Sequence, residues 1–213
     1  MRLLTQILDT ILPTRPPLRS AVSAEELHTI LRNKPSPART PASWIVAGYL
    51  YRDHEVRQLI LHLKKYKNRQ VAAALGRRLH DALAEAESEH HALHGGGPTI
   101  LVPIPLHSSQ MQKRGFNQSA LLAHSLSGQW GHRQVLNALR CIKHTHKQAL
   151  LSREARYRNM AGTLMRTRKQ LPSNALVVLV DDVTTTGATL REARLQFVAE
   201  VPPHRLLALT VAH

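Results

Sequence analysis

The run Val177-Val178-Leu179-Val180-Asp181-Asp182-Val183-Thr184-Thr185-Thr186-Gly187-Ala188-Thr189 constrains this chain more than any other segment. Residues 177–180 are an uninterrupted apolar stretch of the length and type of a strand buried on both faces, which is the habit of parallel sheets. Leu190 to Leu195 then begins a helical period, so the turn between them stands at a helix N-terminus. Unpaired backbone N–H groups at such an end bind phosphate without a cation. Thr185, Thr186 and Thr189 add hydroxyl donors, and Gly187 lets the main chain approach an anion with no Cβ in the way. Asp181 and Asp182, at the carboxyl end of the strand, can accept hydrogen bonds from vicinal sugar hydroxyls. An ordinary strand-turn-helix with an Asx-turn and a Thr N-cap would account for one Asp and one Thr, not for two carboxylates and a run of hydroxyl and glycine positions. The segment therefore reads as a ribose-phosphate holder.

Charge narrows the partners. The chain has 213 residues, enough for one α/β core with a small appendage, and 29 Lys and Arg against 14 acids give a net charge of +15. An anionic partner follows, whether nucleic acid, a phosphorylated small molecule or an acidic membrane surface. Aromatic residues are 4% of the chain, too few for a broad base-stacking platform, although Tyr66, Phe116 and Tyr157 lie in basic sequence and can each stack one base. The single cysteine, Cys141, excludes an internal disulfide and reads as a buried structural thiol on a short strand.

Leu3, Leu4, Ile7, Leu8, Ile11 and Leu12 recur at helical spacing before Pro13, predicting a short N-terminal helix that is too short for a membrane span. Without a span or a cleavable leader, the chain is expected to be cytoplasmic. Pro35, Pro37 and Pro41 make residues 33–43 a linker, so the expected division is an N-terminal region over 1–43 and one domain over 44–213. Residues 44–51 suit a strand, 54–87 carry two helical periods, 99–102 a strand, 117–128 a helix, and 206–211 a strand. The strand-helix-strand order at the end of the chain argues for a parallel sheet with right-handed crossovers. His90, His91 and His94 sit beside Gly95-Gly96-Gly97-Pro98; the spacing of His90 and His94 invites a metal, but the glycines and proline argue for an exposed mobile loop. Two stretches are strongly cationic: seven Lys or Arg and no acid between Val56 and His80, and nine against Glu154 alone over 140–169. A solvated helix face normally mixes signs, so the first run favours an anion-facing surface.

With these residues in view, the Asp181–Thr189 segment resembles the 5-phosphoribosyl-1-pyrophosphate (PRPP) signature of the type I phosphoribosyltransferases. The resemblance implies that Asp181 and Asp182 contact the ribose and support the metal-bound substrate, while Thr184, Thr185, Thr186, Gly187, Ala188 and Thr189 hold the 5-phosphate. Thr185 stands where some purine-type members carry an Asp that serves the base, so that role does not carry over. A second set of residues, Pro103-Ile104-Pro105-Leu106-His107 followed by Arg114-Gly115-Phe116-Asn117-Gln118, is similar to the pyrophosphate-side loop of ComF-type proteins, which are associated with DNA uptake in bacterial competence. The similarity continues through Arg140, Thr145, Gln148, Leu151-Ser152, Arg156, Asn159 and Gly162, and upstream through Leu59-Ile60 and Lys64. It runs in the family order from about residue 45 to the C-terminus.

The resemblance implies an α/β fold of the type I phosphoribosyltransferase kind, a parallel sheet flanked by helices, preceded by the short helix and Pro-rich linker. It implies PRPP with Mg2+ as ligand, with Ile104, Leu106 and His107 as backbone donors near pyrophosphate and Lys64 and Arg114 as charge partners; Pro103 and Pro105 lack N–H groups. His107 fits a hydrogen-bonding loop residue better than a general base. In the family a cysteine-rich zinc module follows the N-terminal helix, but no Cys lies between Met1 and Pro41, so zinc is not expected and His28 alone does not restore the site. The basic 140–169 region corresponds in part to a flexible segment that can close over the site. Two readings stay open: a phosphoribosyltransferase displacing pyrophosphate from C1 of the ribose, and a non-catalytic single-stranded DNA-binding competence protein with a regulatory PRPP pocket. Competence-machinery proteins are the further partners implied.

Overall fold

The computed structural model of the chain describes residues 27, 29, 31–37, 40–128, 133–143 and 153–213. Strands β1 (Ile45–Tyr49), β2 (Thr99–Pro103), β3 (Arg133–Val135), β6 (Leu176–Val183) and β7 (Leu206–Ala212) form one sheet in the order β1-β7-β6-β2-β3, and every pairing in it is parallel. β4 (Leu139–Cys141) and β5 (Leu164–Arg166) make a separate antiparallel pair. The helices are α1 (His54–Lys65), α2 (Arg69–His94), α3 (Ser108–Arg114), α4 (Gln118–Ser127), α5 (Arg153–Met160) and α6 (Ala188–Leu195), with a short 3-10 turn at Pro203–Arg205. The fold is α/β, a parallel sheet flanked by helices, as the apolar runs predict.

Side-chain alternation splits the core in two. Val178 and Val180 of β6 and Leu209 and Val211 of β7 pack beneath α1, α2 and α4, whereas Val177, Leu179, Leu206 and Ala208 pack with Leu190, Ala193 and Phe197 on the α6 side. Both faces of β6 are covered, which explains its continuous apolar sequence. Leu27 and Leu31 are also buried in the first cluster, so part of the region before residue 44 belongs to the core. The Pro-rich stretch beyond them is tied to the sheet edge: Ser36 Oγ donates to the Gly48 carbonyl, and Thr40 Oγ1 reaches the Ile45 carbonyl at 2.8 Å.

Three expectations change. β6 extends past residue 180 through Val183, because Asp181 and Val183 pair with Thr210 and Ala212 of β7. The 89–94 stretch is not an exposed mobile loop: α2 continues to His94, carried by the helix formers between Ala82 and Glu89, and stops where Gly95 adopts φ 72°. His90 is buried there, its Nε2 3.2 Å from the Asn174 carbonyl, and no group of three metal-ligating side chains occurs among the described residues. Cys141 lies on a short strand, as expected, but is half-buried rather than buried; its Sγ donates to the Lys143 carbonyl, and burial raises its pKa. No described helix is long and apolar enough to cross a membrane.

The α2–β3 contact supplies a stability test. Arg133, whose side chain is 2% exposed, meets Glu87 through Nε at 2.8 Å and Nη2 at 2.5 Å, and its Nη1 donates to the Leu126 carbonyl. Removing one partner of such a pair strands the other charge away from water. Glu87→Ala is expected to cost about 3–5 kcal/mol in urea unfolding.

Candidate functional site

Asp181 and Asp182 are the last but two and last but one residues of β6, a strand that lies in the middle of the sheet between β2 and β7. Neither is a solvent-facing acid at a strand tip: they are 8% and 4% exposed. Burial follows from α4, whose N-terminus closes over them. Asn117 caps that helix by accepting from the Ser119 N–H, which places Gln118 and Ser119 in its first turn, directed at the strand ends. Ser119 Oγ donates to Asp181 Oδ1 at 3.0 Å, and the Asp182 N–H donates to the same oxygen at 2.9 Å. Gln118 Nε2 lies 3.5 Å from Asp182 Oδ1, and Arg114 donates to the Gln118 carbonyl oxygen. Lys64, in the last turn of α1, brings its ammonium within 2.6 Å of Asp182 Oδ2. That contact is an ion pair with poor hydrogen-bond direction, and Oδ2 is otherwise buried without a hydrogen-bond partner.

The electrostatics follow from that packing. Burial, and then the neighbouring Asp182 charge, push the Asp181 carboxyl up to about 8, against the N–H and hydroxyl donors that favour its ionised form. For Lys64 burial is the largest single influence and works to lower the pKa, but the Asp182 and Asp181 charges outweigh it and the net shift is upward. Asp181 thus keeps its proton to a higher pH than an ordinary carboxyl, beside the Lys64–Asp182 ion pair.

The Thr-rich turn begins beside the acids. Thr184 is buried, its N–H bonded to the Ala212 carbonyl, and the Thr186 carbonyl accepts from the Tyr157 hydroxyl of α5 at 2.7 Å. Arg191 of α6 lies over the Tyr157 ring, and Glu192 Oε1 accepts from the Gly162 N–H at 2.9 Å, so α5 is fastened to the start of α6. Gly187 precedes Ala188 and Thr189 at φ 77°, and no side chain caps the helix from that position. A Cβ on Gly187 would meet Pro41 Cβ at 3.0 Å and Ile45 Cδ1 at 3.3 Å, so glycine is demanded by backbone conformation and by the packing of Pro41. Gly187→Val is expected to lose about 2 kcal/mol or more in denaturant unfolding, from the left-handed φ and the crowding together.

The Pro103–His107 stretch leaves β2 next to β6, with Pro103 in register with Val180. The Ile104 N–H donates to the Val180 carbonyl at 2.9 Å, extending the ladder, so Ile104 is not a spare donor for pyrophosphate. Leu106 is half-buried, and His107 Nδ1 accepts from the Ser109 N–H, capping α3. Pro105 and Leu106 line a cleft together with Gly115 and buried Phe116. The Asn117 amide donates to the Ile104 carbonyl at 2.9 Å and ties the loop to α4. Asn159 lies on α5; Arg156 shares that helix, but its side chain is outside the described residues, as is all of Gln148. The expected N-terminal helix over 1–12 lies outside the described residues, as do His28 and residues 144–152 of the basic block, including Thr145, Leu151 and Ser152.

Of the residues the sequence singles out, the structure brings Lys64, Arg114, Gln118 and Asp182 into one chain of contacts. Ser119 is not among those singled out, and Tyr157 is expected only as a stacking ring, not as a partner of the Thr-rich turn. Asn117 as an N-cap is the signal that would have placed Ser119 in the first turn; Tyr157 reaches the Thr-rich turn across 29 residues and leaves no local trace.

Comparison with known proteins finds several relatives of this chain. Competence protein F of Haemophilus influenzae is 31% identical over 144 residues, 65% of this chain and 61% of that protein. The DNA utilization protein YhgH of Salmonella typhi is 36% identical over 141 residues, 63% and 57% of the two chains. Competence protein ComFC of Bacillus subtilis is 35% identical over 95 residues, 44% and 36%. Over roughly three fifths of its length the chain is thus similar to ComF-type proteins. It spans about three fifths of the length of the first two ComF-type relatives. No family model matches it.

Proposed function

We propose that this chain is a ComF-type protein that binds PRPP, or a related phosphoribose, with Mg2+, and that it serves DNA uptake; the names of its relatives state competence or DNA utilization for them. The observation that carries the ligand reading is the Asp181–Asp182 pair at the carboxyl end of β6, immediately ahead of a hydroxyl-rich turn whose glycine opens α6 without a side-chain cap. Two carboxylates suit the two ribose hydroxyls, and a helix end held only by a 3.4 Å bond from the Ala188 N–H to Thr186 Oγ1 suits the 5-phosphate. Asp182 Oδ2, buried and short of a hydrogen-bond donor, supports a ligand that completes it. Hard-cation chemistry also fits the pair, so Asp181 and Asp182 would hold Mg2+, directly or through its waters, and bound Mg2+ would screen the negative charge of the pyrophosphate. Lys64 pairs with Asp182 directly and Arg114 is linked to it through Gln118, which supports both as charge partners for pyrophosphate. Isothermal titration with PRPP and Mg2+ tests the reading, and absence of binding at millimolar ligand refutes it. If the protein is catalytic, its reaction is displacement of pyrophosphate from C1 of the ribose.

A second reading, single-stranded DNA binding with the PRPP pocket as a regulatory site, is favoured by the α1–α2 junction. Lys65, Lys67 and Arg69 are exposed there beside Tyr66, itself 40% exposed, while Lys64 turns inward to Asp182. Each phosphate neutralised releases counterion, giving a log–log salt slope of about −0.7 per contact. With roughly four to six contacts the slope should be about −3 to −4, and replacing Lys65, Lys67 and Arg69 by Ala should reduce it by about 2. A flat salt dependence measured by fluorescence anisotropy would exclude this surface as the DNA site.

A further inference from the structure

Beside the Pro103–Leu106 loop lies a cleft of about 430 Å³. That volume falls within the roughly 300–1,000 Å³ of small-molecule sites. Leu106, Met111, Phe116 and Leu121 supply its apolar walls, and Lys67, Asn137 and His124 stand around them. Neither Asp181 nor Asp182, nor any other carboxylate among the described residues, lines it. The walls are fixed from behind. The Gly115 N–H closes α3 on the Met111 carbonyl at 2.7 Å, and Asn117 bridges the loop and α4 through its amide.

We propose that this cleft holds one nucleotide, at a site separate from the Asp181–Asp182 centre. Slots walled by an aromatic ring and aliphatic side chains take flat heterocycles, because every base presents an apolar π-face. The Asn137 amide offers a donor and an acceptor side by side, which complements the edge of a base. Lys67 is exposed at the mouth and follows directly from the basic α1–α2 junction, so its ammonium meets the phosphate of a nucleotide whose ring is inside. A purely apolar ligand would leave Lys67 and Asn137 unused; an inorganic anion would leave the apolar walls unused. The same chemistry can arrive as a free mononucleotide or as one unit of a single strand.

Titration of the full chain with dAMP and, separately, with single-stranded d(A)6 distinguishes the two sources. Comparable affinities identify a free-nucleotide site, and binding of d(A)6 at least tenfold tighter identifies one unit of a strand. Ala120→Phe, which fills the cleft from its half-buried α4 wall, should lower the affinity for the bound form at least tenfold. Lys67→Ala should lower it three- to tenfold. PRPP affinity should be unchanged in both variants, so failure at the acids and failure at the cleft are read separately. Should Ala120→Phe melt below the assay temperature, photocrosslinking of 5-iodo-deoxyuridine monophosphate to the unmodified protein replaces it, with the adduct expected in the peptide spanning residues 111–124. No binding of dAMP or d(A)6, an undiminished affinity in folded Ala120→Phe, or an adduct confined to another peptide overturns the proposal.

Discussion

Replacing both acids, Asp181→Asn with Asp182→Asn, is expected to weaken PRPP binding at least a hundredfold while the fold survives. Each carboxylate that accepts from a ribose hydroxyl makes a charge-assisted hydrogen bond worth about 1.5–3 kcal/mol, so two such bonds total about 3–6 kcal/mol, roughly a hundred- to ten-thousandfold in affinity. The acids are buried, so survival of the fold has to be argued from their partners. Asn keeps the Oδ1 acceptor that Ser119 and the Asp182 N–H use, and it needs no counterion in a site that already disfavours ionised Asp181. Asp182→Asn leaves Lys64 without its charge partner, but that side chain is 30% exposed and its flexible stem can carry the ammonium to water. Affinity for PRPP equal to that of the unmodified protein, measured by calorimetry on a variant with an intact cooperative melt, would remove the acids from the site. Salt-dependent DNA binding at Lys65, Lys67 and Arg69 should be unaffected, since those side chains are exposed and point elsewhere.

The legible parts of this chain are those whose information is local. β1, β2, β6 and β7 announce themselves as apolar runs because both faces of the sheet are covered, and the acid pair with its Thr-rich turn is a contiguous motif. β3, β4 and β5 have three residues each, too few to show a period. α3 carries no buried residue, so no apolar stripe marks it. The His-rich end of α2 misleads because glycine and proline follow it; helix propensity upstream carries the helix to the first glycine instead of breaking it at the histidines. In the site, the acids were expected at the mouth of a strand, and their burial could not be foreseen because it is made by the first turn of α4, more than sixty residues away. Lys64 was placed with pyrophosphate on sign alone. Its pairing with Asp182 depends on where α1 ends against the sheet, which is a tertiary fact.

Unliganded protein should lose stability as the pH rises from about 4 to about 8, with Asp181 as the cause. An unfolded Asp titrates near 3.9, whereas burial and the Asp182 charge hold folded Asp181 up to about 8. Between those values the folded state keeps a proton that the unfolded chain has released, so the derivative of stability with pH is negative, about 1.4 kcal/mol per pH unit for one proton. The contribution is fully favourable below the unfolded pKa and is lost as the pH climbs to the folded one. His62 acts in the opposite sense: burial, and then the Lys65 charge, lower its pKa, so stability from this residue rises as the unfolded imidazole loses its proton near 6.5. The two trends separate in a comparison with Asp181→Asn, which mimics the protonated acid at every pH and leaves His62 in place. Urea unfolding at pH 5, 6, 7 and 8 should give a variant whose advantage over the unmodified protein widens by about 1.4 kcal/mol per unit across that range. Parallel stability curves would mean that Asp181 is ionised in the folded protein throughout. The same proton bears on the ligand: hydroxyls and a divalent cation favour the ionised carboxylate, so binding of PRPP with Mg2+ near pH 7 should release a proton and tighten as the pH rises toward 8. Calorimetry in two buffers of different ionisation enthalpy reads that release directly, and identical heats in both would show that the ligand does not engage Asp181.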